Sequence, residues 1–214
     1  MTINLTKGNS VDLKKSTTNA TFTVRCSWSS ATDYDLYAIV LYKDGHTEHV
    51  ALFNAVDPDN RGRVVIPKKD RTADGAVVHR GDVRASGGGL FSRKGSSTSE
   101  EIIDITLNDQ IDAVVPVAYS AQGNGMGSFK KYMVSMEATD GADQTVRVDA
   151  DSASSDRRVY SCIPGVIENK GTFVTVSHME RYSARSSENR PTVVRENGKL
   201  VITMDAGPRN EYKR

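Results

Sequence analysis

Strand periodicity constrains this chain more than any other feature. Thr21-Phe22-Thr23-Val24-Arg25-Cys26-Ser27-Trp28 alternates polar and apolar residues, so Phe22, Val24, Cys26 and Trp28 share one face of an extended segment. Segments 172–176 and 192–194 are rich in β-branched residues. Further strands are predicted over 36–43, 48–53, 76–79, 101–107, 112–119, 132–138, 145–149, 157–162 and 199–204. Asp44-Gly45, Asp140-Gly141, Asn169-Lys170-Gly171 and Asn197-Gly198 supply residues that accept positive φ, which tight hairpins require. No window carries a helical stripe with caps. About ten short strands with recurring turns predict an all-β fold: a β-sandwich of two antiparallel-rich sheets, with long acidic and Gly-rich loops at one end.

The chain has 214 residues, enough to bury a core without disulfides or metals. Its 28 Lys and Arg nearly balance 27 Asp and Glu. That argues against a general nucleic-acid binder, which depends on excess positive charge. Cys26 and Cys162 are too few for a disulfide scaffold and read as buried small hydrophobes. The longest apolar run, Leu36 to Tyr42, is seven residues. A membrane-spanning helix needs about 20, so no integral segment is expected. The first residues lack the apolar stretch of a signal peptide, and the expectation is a soluble cytoplasmic protein. Trp28 is expected in the core.

Motifs that would announce an enzyme are off pattern. His46-Thr47-Glu48-His49 follows a hairpin turn, which puts its two histidines on opposite faces of a strand. The run from Gly89 to Ser96 places Lys before Gly, and Gly123-Asn124-Gly125-Met126-Gly127 precedes no helix, so neither is a phosphate loop. Asp57-Pro58-Asp59-Asn60-Arg61-Gly62 begins like an EF-hand loop but has Lys68 where a bidentate Glu belongs. No catalytic activity is expected.

One acidic arrangement remains. Asp33 and Asp35 stand at the mouth of the strand that starts at Leu36. Asp82 opens the Gly-rich loop 81–99, and Glu100 and Glu101 close it. If that loop doubles back across the sandwich end, these five carboxylates converge. Their mutual repulsion would be relieved by a divalent cation, and Ca2+ takes six to eight oxygen ligands from such loops.

Several segments, in order, resemble the TerD family of tellurium-resistance and stress-response proteins. Leu5-Thr6-Lys7-Gly8-Asn9-Ser10-Val11-Asp12-Leu13 resembles its opening L-x-K-G-x-x-V-x-L. Trp28 with Asp33-Tyr34-Asp35-Leu36-Tyr37-Ala38 resembles its tryptophan and D-x-D-L-D-A. Gly75-Ala76-Val77-Val78-His79-Arg80-Gly81-Asp82 resembles G-S-V-x-H-x-G-D-N. Glu100-Glu101 and the strand 102–107 resemble the close of its acidic loop. Strand 114–119 and Gly127-Ser128-Phe129 resemble its next strand and x-S-F-G. The resemblance spans residues 3–182 and implies a calcium-binding β-sandwich, with Asp33, Asp35, Asp82, Glu100 and Glu101 at the cation site. It also implies assembly with other stress or tellurium-resistance proteins near the membrane, compatible with peripheral association or an oligomer. The chain is a divergent member on this reading. Tyr37 and Val83 replace the family's third Asp and its Asn, and Arg93 and Lys94 enter the acidic loop.

Residues 183–214 lie outside that pattern and are read as a C-terminal extension, an appended hairpin or edge addition around Asn197-Gly198, with a frayed end. From Arg181 onward eight cations face four acids. Two readings follow. The first is a non-enzymatic, calcium-dependent, stress-associated binding module. The second is a metal-free assembly subunit that kept the sandwich and lost the ion.

Overall fold

The computed structural model describes residues 1–15, 20–29, 34–83, 98–120, 128–140, 144–149 and 155–211. Among these there is no helix, as the periodicity predicts. One six-stranded sheet has the order β1 (Thr2–Leu5), β12 (Thr145–Asp149), β11 (Ser135–Asp140), β3 (Ala20–Ser29), β9 (Thr98–Leu107), β8 (Val77–Val83). The second has the order β2 (Ser10–Lys14), β14 (Phe173–Tyr182), β13 (Ser161–Asn169), β10 (Ile111–Tyr119), β4 (Asp35–Tyr42), β5 (Thr47–Val50). All pairings within them are antiparallel except β1 with β12. The molecule is therefore an all-β sandwich.

The inner faces of the two sheets form the main core. Phe22, Val24, Cys26 and Trp28 of β3 all point into it, as their alternation predicts. So do Val146 and Val148 of β12 and Val174 and Val176 of β14. Both cysteines are free and buried, and burial pushes both thiols well above their usual pKa.

The outer face of the second sheet is apolar too. β4 is buried along its whole length: Leu36, Ala38 and Val40 face the main core, while Tyr37, Ile39 and Leu41 face outward. Those outward residues are covered by the C-terminal segment. β15 (Thr192–Glu196) and β16 (Lys199–Thr203) form the hairpin expected around Asn197-Gly198. Asn197 and Gly198 both have positive φ (48° and 75°), the conformation of a two-residue hairpin that matches strand twist. Val193 and Ile202 of the hairpin pack on the sheet in a second core. The hairpin joins neither large sheet; it lies over a face rather than along an edge. Beyond it, β17 (Arg209–Asn210) pairs with β6 (Ala55–Val56), and β6 pairs with β7 (Val64–Ile66). Of the end read as frayed from Pro208 to Arg214, Arg209 and Asn210 pair with β6, and residues 212–214 lie outside the described residues.

Arg190 anchors this cap and is completely buried. Its guanidinium lies between the rings of Tyr37 and Phe53, 5.0 and 5.1 Å from their centroids. It donates to Asn210 Oδ1 (2.7 Å) and the Phe53 carbonyl (3.0 Å), and its Nη1 meets His49 Nδ1 at 3.4 Å. Burial and the Arg190 charge push the His49 pKa down to about 3, so its ring stays neutral. At the hairpin's turn end, Arg195 grips Asp112 through two bonds (2.8 and 2.9 Å) and Glu168 through a third (2.8 Å).

Three expectations need correction. Thr2–Leu5 and Ser10–Lys14 are strands that periodicity did not single out, because each is short and half exposed. The strand expected over 157–162 instead starts at Ser161 and runs through Pro164 and Gly165 to Asn169. A register shift against β14 at Ile163/Gly165 accommodates the proline, which has no N–H to give the ladder. The strand expected from 132 begins at Ser135, because the chain turns through Ser128–Val134.

Candidate functional site

At one end of the sandwich, β4, β10 and β13 meet through Asp35, Tyr119 and Ser161, while β8 and β9 meet through Asp82 and Glu101. Alternation along β9 decides which of its two glutamates faces inward. Glu101 points into the sandwich and is 4% exposed. Its neighbour Glu100 points outward, where Arg25 Nη1 donates to both its oxygens at 2.8 and 2.7 Å. The two adjacent glutamates therefore serve opposite faces.

Glu101 and His79 together clamp one residue of the facing sheet. The Leu36 N–H donates to Glu101 Oε2 at 2.5 Å. His79, 4% exposed, approaches the Leu36 carbonyl through Nε2 at 2.9 Å. The Gly81 N–H donates to His79 Nδ1 at 2.9 Å, which leaves the ring proton on Nε2. Nε2 also lies 3.4 Å from Glu101 Oε2. These bonds have a clear cause. β5 pairs with β4 only as far as Ala38↔Val50, so Leu36 lies beyond its reach. The buried backbone groups of Leu36 find their partners in side chains from the other sheet instead. Gly81 has φ 91°, and the β8–β9 register shifts between His79 and Asp82. This bulge turns the end of β8, a common device beside functional sites.

Asp35, 5% exposed, is close enough to Glu101 to affect its ionisation. Burial pushes the Glu101 pKa up to about 6; the Asp35 charge adds to the rise, while His79 and the Leu36 N–H oppose it. Asp35 and Glu101 are thus both buried at this end of the sandwich, but Asp35 lies between the inward-facing Tyr34 and Leu36 and so has the outward parity of Tyr37, whereas Glu101 points inward. Asp82 stands opposite Glu101 in the strand register; only its backbone is described. Asp33 and loop residues 84–97 lie outside the described residues, as do Gly123–Gly127.

As a donor set, two buried carboxylates match the oxygen preference of calcium. They supply only part of a six-to-eight-ligand shell, and among the described residues no group of three or more His, Cys, Asp or Glu could hold a metal. His79 was missed as a site residue from periodicity alone. It shares the inward face of β8 with Val77, and a polar side chain on an apolar face requires a partner.

The other histidine motif is structural. His46 stacks on Tyr42 with ring centroids 4.2 Å apart and pairs with Asp44, whereas His49 lies under Arg190. The opening acids of 57–62 are likewise closed locally: Asp57 Oδ1 accepts the N–H groups of Asp59 and Asn60.

No protein-family model matches the chain, and no curated protein matches it. The chain is similar to a solved structure titled as a protein of unknown function, SAV2460. The two are 13% identical, the match covers 80% of this chain and 92% of that one, and the TM-score is 0.46. No helix among the described residues is long and apolar enough to cross a membrane.

Proposed function

We propose that this chain is a non-enzymatic binding module resembling the TerD stress-response family. On this reading its sandwich end holds calcium and presents the surrounding loops to partner proteins. The observation that carries it is the burial of two carboxylates, Asp35 and Glu101, at one end of the sandwich. Desolvated carboxylates are costly unless a positive charge compensates them. Asp35 and Glu101 would hold the ion, with Asp33 and Asp82 completing the carboxylate set. The ion would add positive charge beside these carboxylates and tie β4 to β8 and β9.

A second reading has its own support: a metal-free assembly subunit. Glu101 already receives the Leu36 N–H and faces His79, and Glu100 is engaged by Arg25. In this form the His79–Glu101 clamp is a structural joint between the sheets. Isothermal titration with calcium, on the wild type and on Asp35→Asn with Asp82→Asn, separates the two. Binding that disappears in the variant supports the first reading. No heat in either supports the second.

A further inference from the structure

The same end of the sandwich carries an exposed cationic surface with an apolar tip. The chain enters β11 through a turn in which the Met133 N–H donates to the Lys130 carbonyl and the Tyr132 N–H to Ser128. Met133 sits there at φ 51° with 69% of its surface exposed. Methionine is a poor residue for left-handed backbone, and little packing holds this one in place. A strained residue that exposes a large apolar side chain suggests that what it presents is used.

Lys130 and Lys131 flank that tip and are exposed. The neighbouring turn adds Arg157 and Arg158, also exposed, and is joined to the first by the Ser128 N–H on the Asp156 carbonyl at 3.2 Å. Arg185, from the segment after β14, pairs with Asp156 at 2.5 Å. Segments 128–134, 155–159 and 184–187 therefore carry five cations and one carboxylate, a local excess of four positive charges. The whole chain has an excess of only one, so these three segments are locally cationic; of the acids described at the same end, Asp35 and Glu101 are buried and Glu100 is engaged by Arg25.

We propose that this end docks on an anionic lipid surface, with Met133 entering the headgroup layer and Lys130, Lys131, Arg157 and Arg158 meeting lipid phosphates and carboxylates. Lysine stems lie along apolar surface while their ammonium groups stay in the polar layer, which suits lysines beside an inserted side chain. Single-stranded nucleic acid fits less well, because its binding sites offer exposed aromatic platforms. The aromatic residues of the first turn, Phe129 and Tyr132, are buried.

This inference goes beyond the calcium reading, and its test is run in chelator so that either can fail alone. Co-sedimentation compares vesicles of phosphatidylcholine with vesicles that also contain phosphatidylserine. The chain should partition onto the phosphatidylserine vesicles, and about 0.5 M salt should release it. Each lysine should contribute roughly fivefold, so Lys130→Ala with Lys131→Ala should weaken partitioning about 25-fold. Met133→Asn tolerates the backbone, keeps the fold by thermal unfolding, and should weaken partitioning several-fold. Equal binding to both vesicle types, or none to phosphatidylserine, would overturn the proposal. Capture by polyglutamate that is indifferent to Met133→Asn would overturn it in favour of an acidic protein partner.

Discussion

Replacing Glu101 with Gln tests the electrostatics of the sandwich end without dismantling it. The amide keeps an oxygen for the Leu36 N–H and removes the charge. In the folded protein the Glu101 carboxyl titrates near 6, against an ordinary value of 4.5. The folded state therefore binds more protons than the unfolded state between those values. Its contribution to stability is complete below pH 4.5 and is lost as pH rises through 6. The loss is about 1.5 pKa units at 1.36 kcal/mol each, or about 2 kcal/mol. His49 acts in an overlapping window with the opposite sign: its folded pKa near 3 makes stability rise with pH up to 6.5. The difference between variant and wild type cancels that term. Stability from urea unfolding in chelator, measured at steps from pH 4.5 to 7.5, gives the difference curve. Relative to wild type, Glu101→Gln should gain about 2 kcal/mol across that range, or roughly 4–8 °C in melting temperature. A constant offset from imperfect hydrogen bonding leaves the shape intact. A flat difference curve would refute the claim that a desolvated Glu101 beside Asp35 strains the sandwich end.

His49→Gln should flatten the acid limb of wild-type stability between pH 6.5 and 3, visible in the same titration. Arg190→Ala should cost about 3 kcal/mol or more, because it opens a cavity and orphans the Asn210 and Phe53 acceptors. Hydrogen exchange should then show faster exchange in β15 and β16 than in β3. Gly165→Ala should cost about 1–3 kcal/mol, since a Cβ there would stand 2.7 Å from the Ser177 carbonyl oxygen and 2.8 Å from Met136 Cε. Arg25→Ala should change stability by less than about 1 kcal/mol and leave calcium binding unaltered, because its pair with Glu100 is on the solvent side.

How far the sequence could be read depends on whether information was local. β3 and β12 were legible because one face of each is apolar and the other polar, so the alternation survives in the letters. β4 was legible for the opposite reason: an unbroken apolar run that is too short for a membrane is a strand buried on both faces. In the folded chain the outer face of β4 is covered as well. The cover is the C-terminal hairpin, whose turn was visible but whose docking rests on Arg190 and Arg195 meeting distant partners. Pro164-Gly165 hid the interior of β13, because local chemistry reads as a turn where tertiary pairing imposes a bulged strand. At the site, Asp35 and Glu101 were identified as acids at loop mouths. The parity that turns Glu101 inward and Glu100 outward follows from strand register. His79 became visible as a partner only once the two sheets were stacked.

Calcium-dependent thermal unfolding of the wild type at pH 7.5 tests the central claim most directly, with Asp35→Asn and Glu101→Gln together as the comparison. Calcium at 100 times its dissociation constant should stabilise the wild type by about 2.7 kcal/mol, roughly 5–10 °C, and leave the double variant unmoved. An equal shift in both proteins, or no shift in the wild type at millimolar calcium, would contradict it.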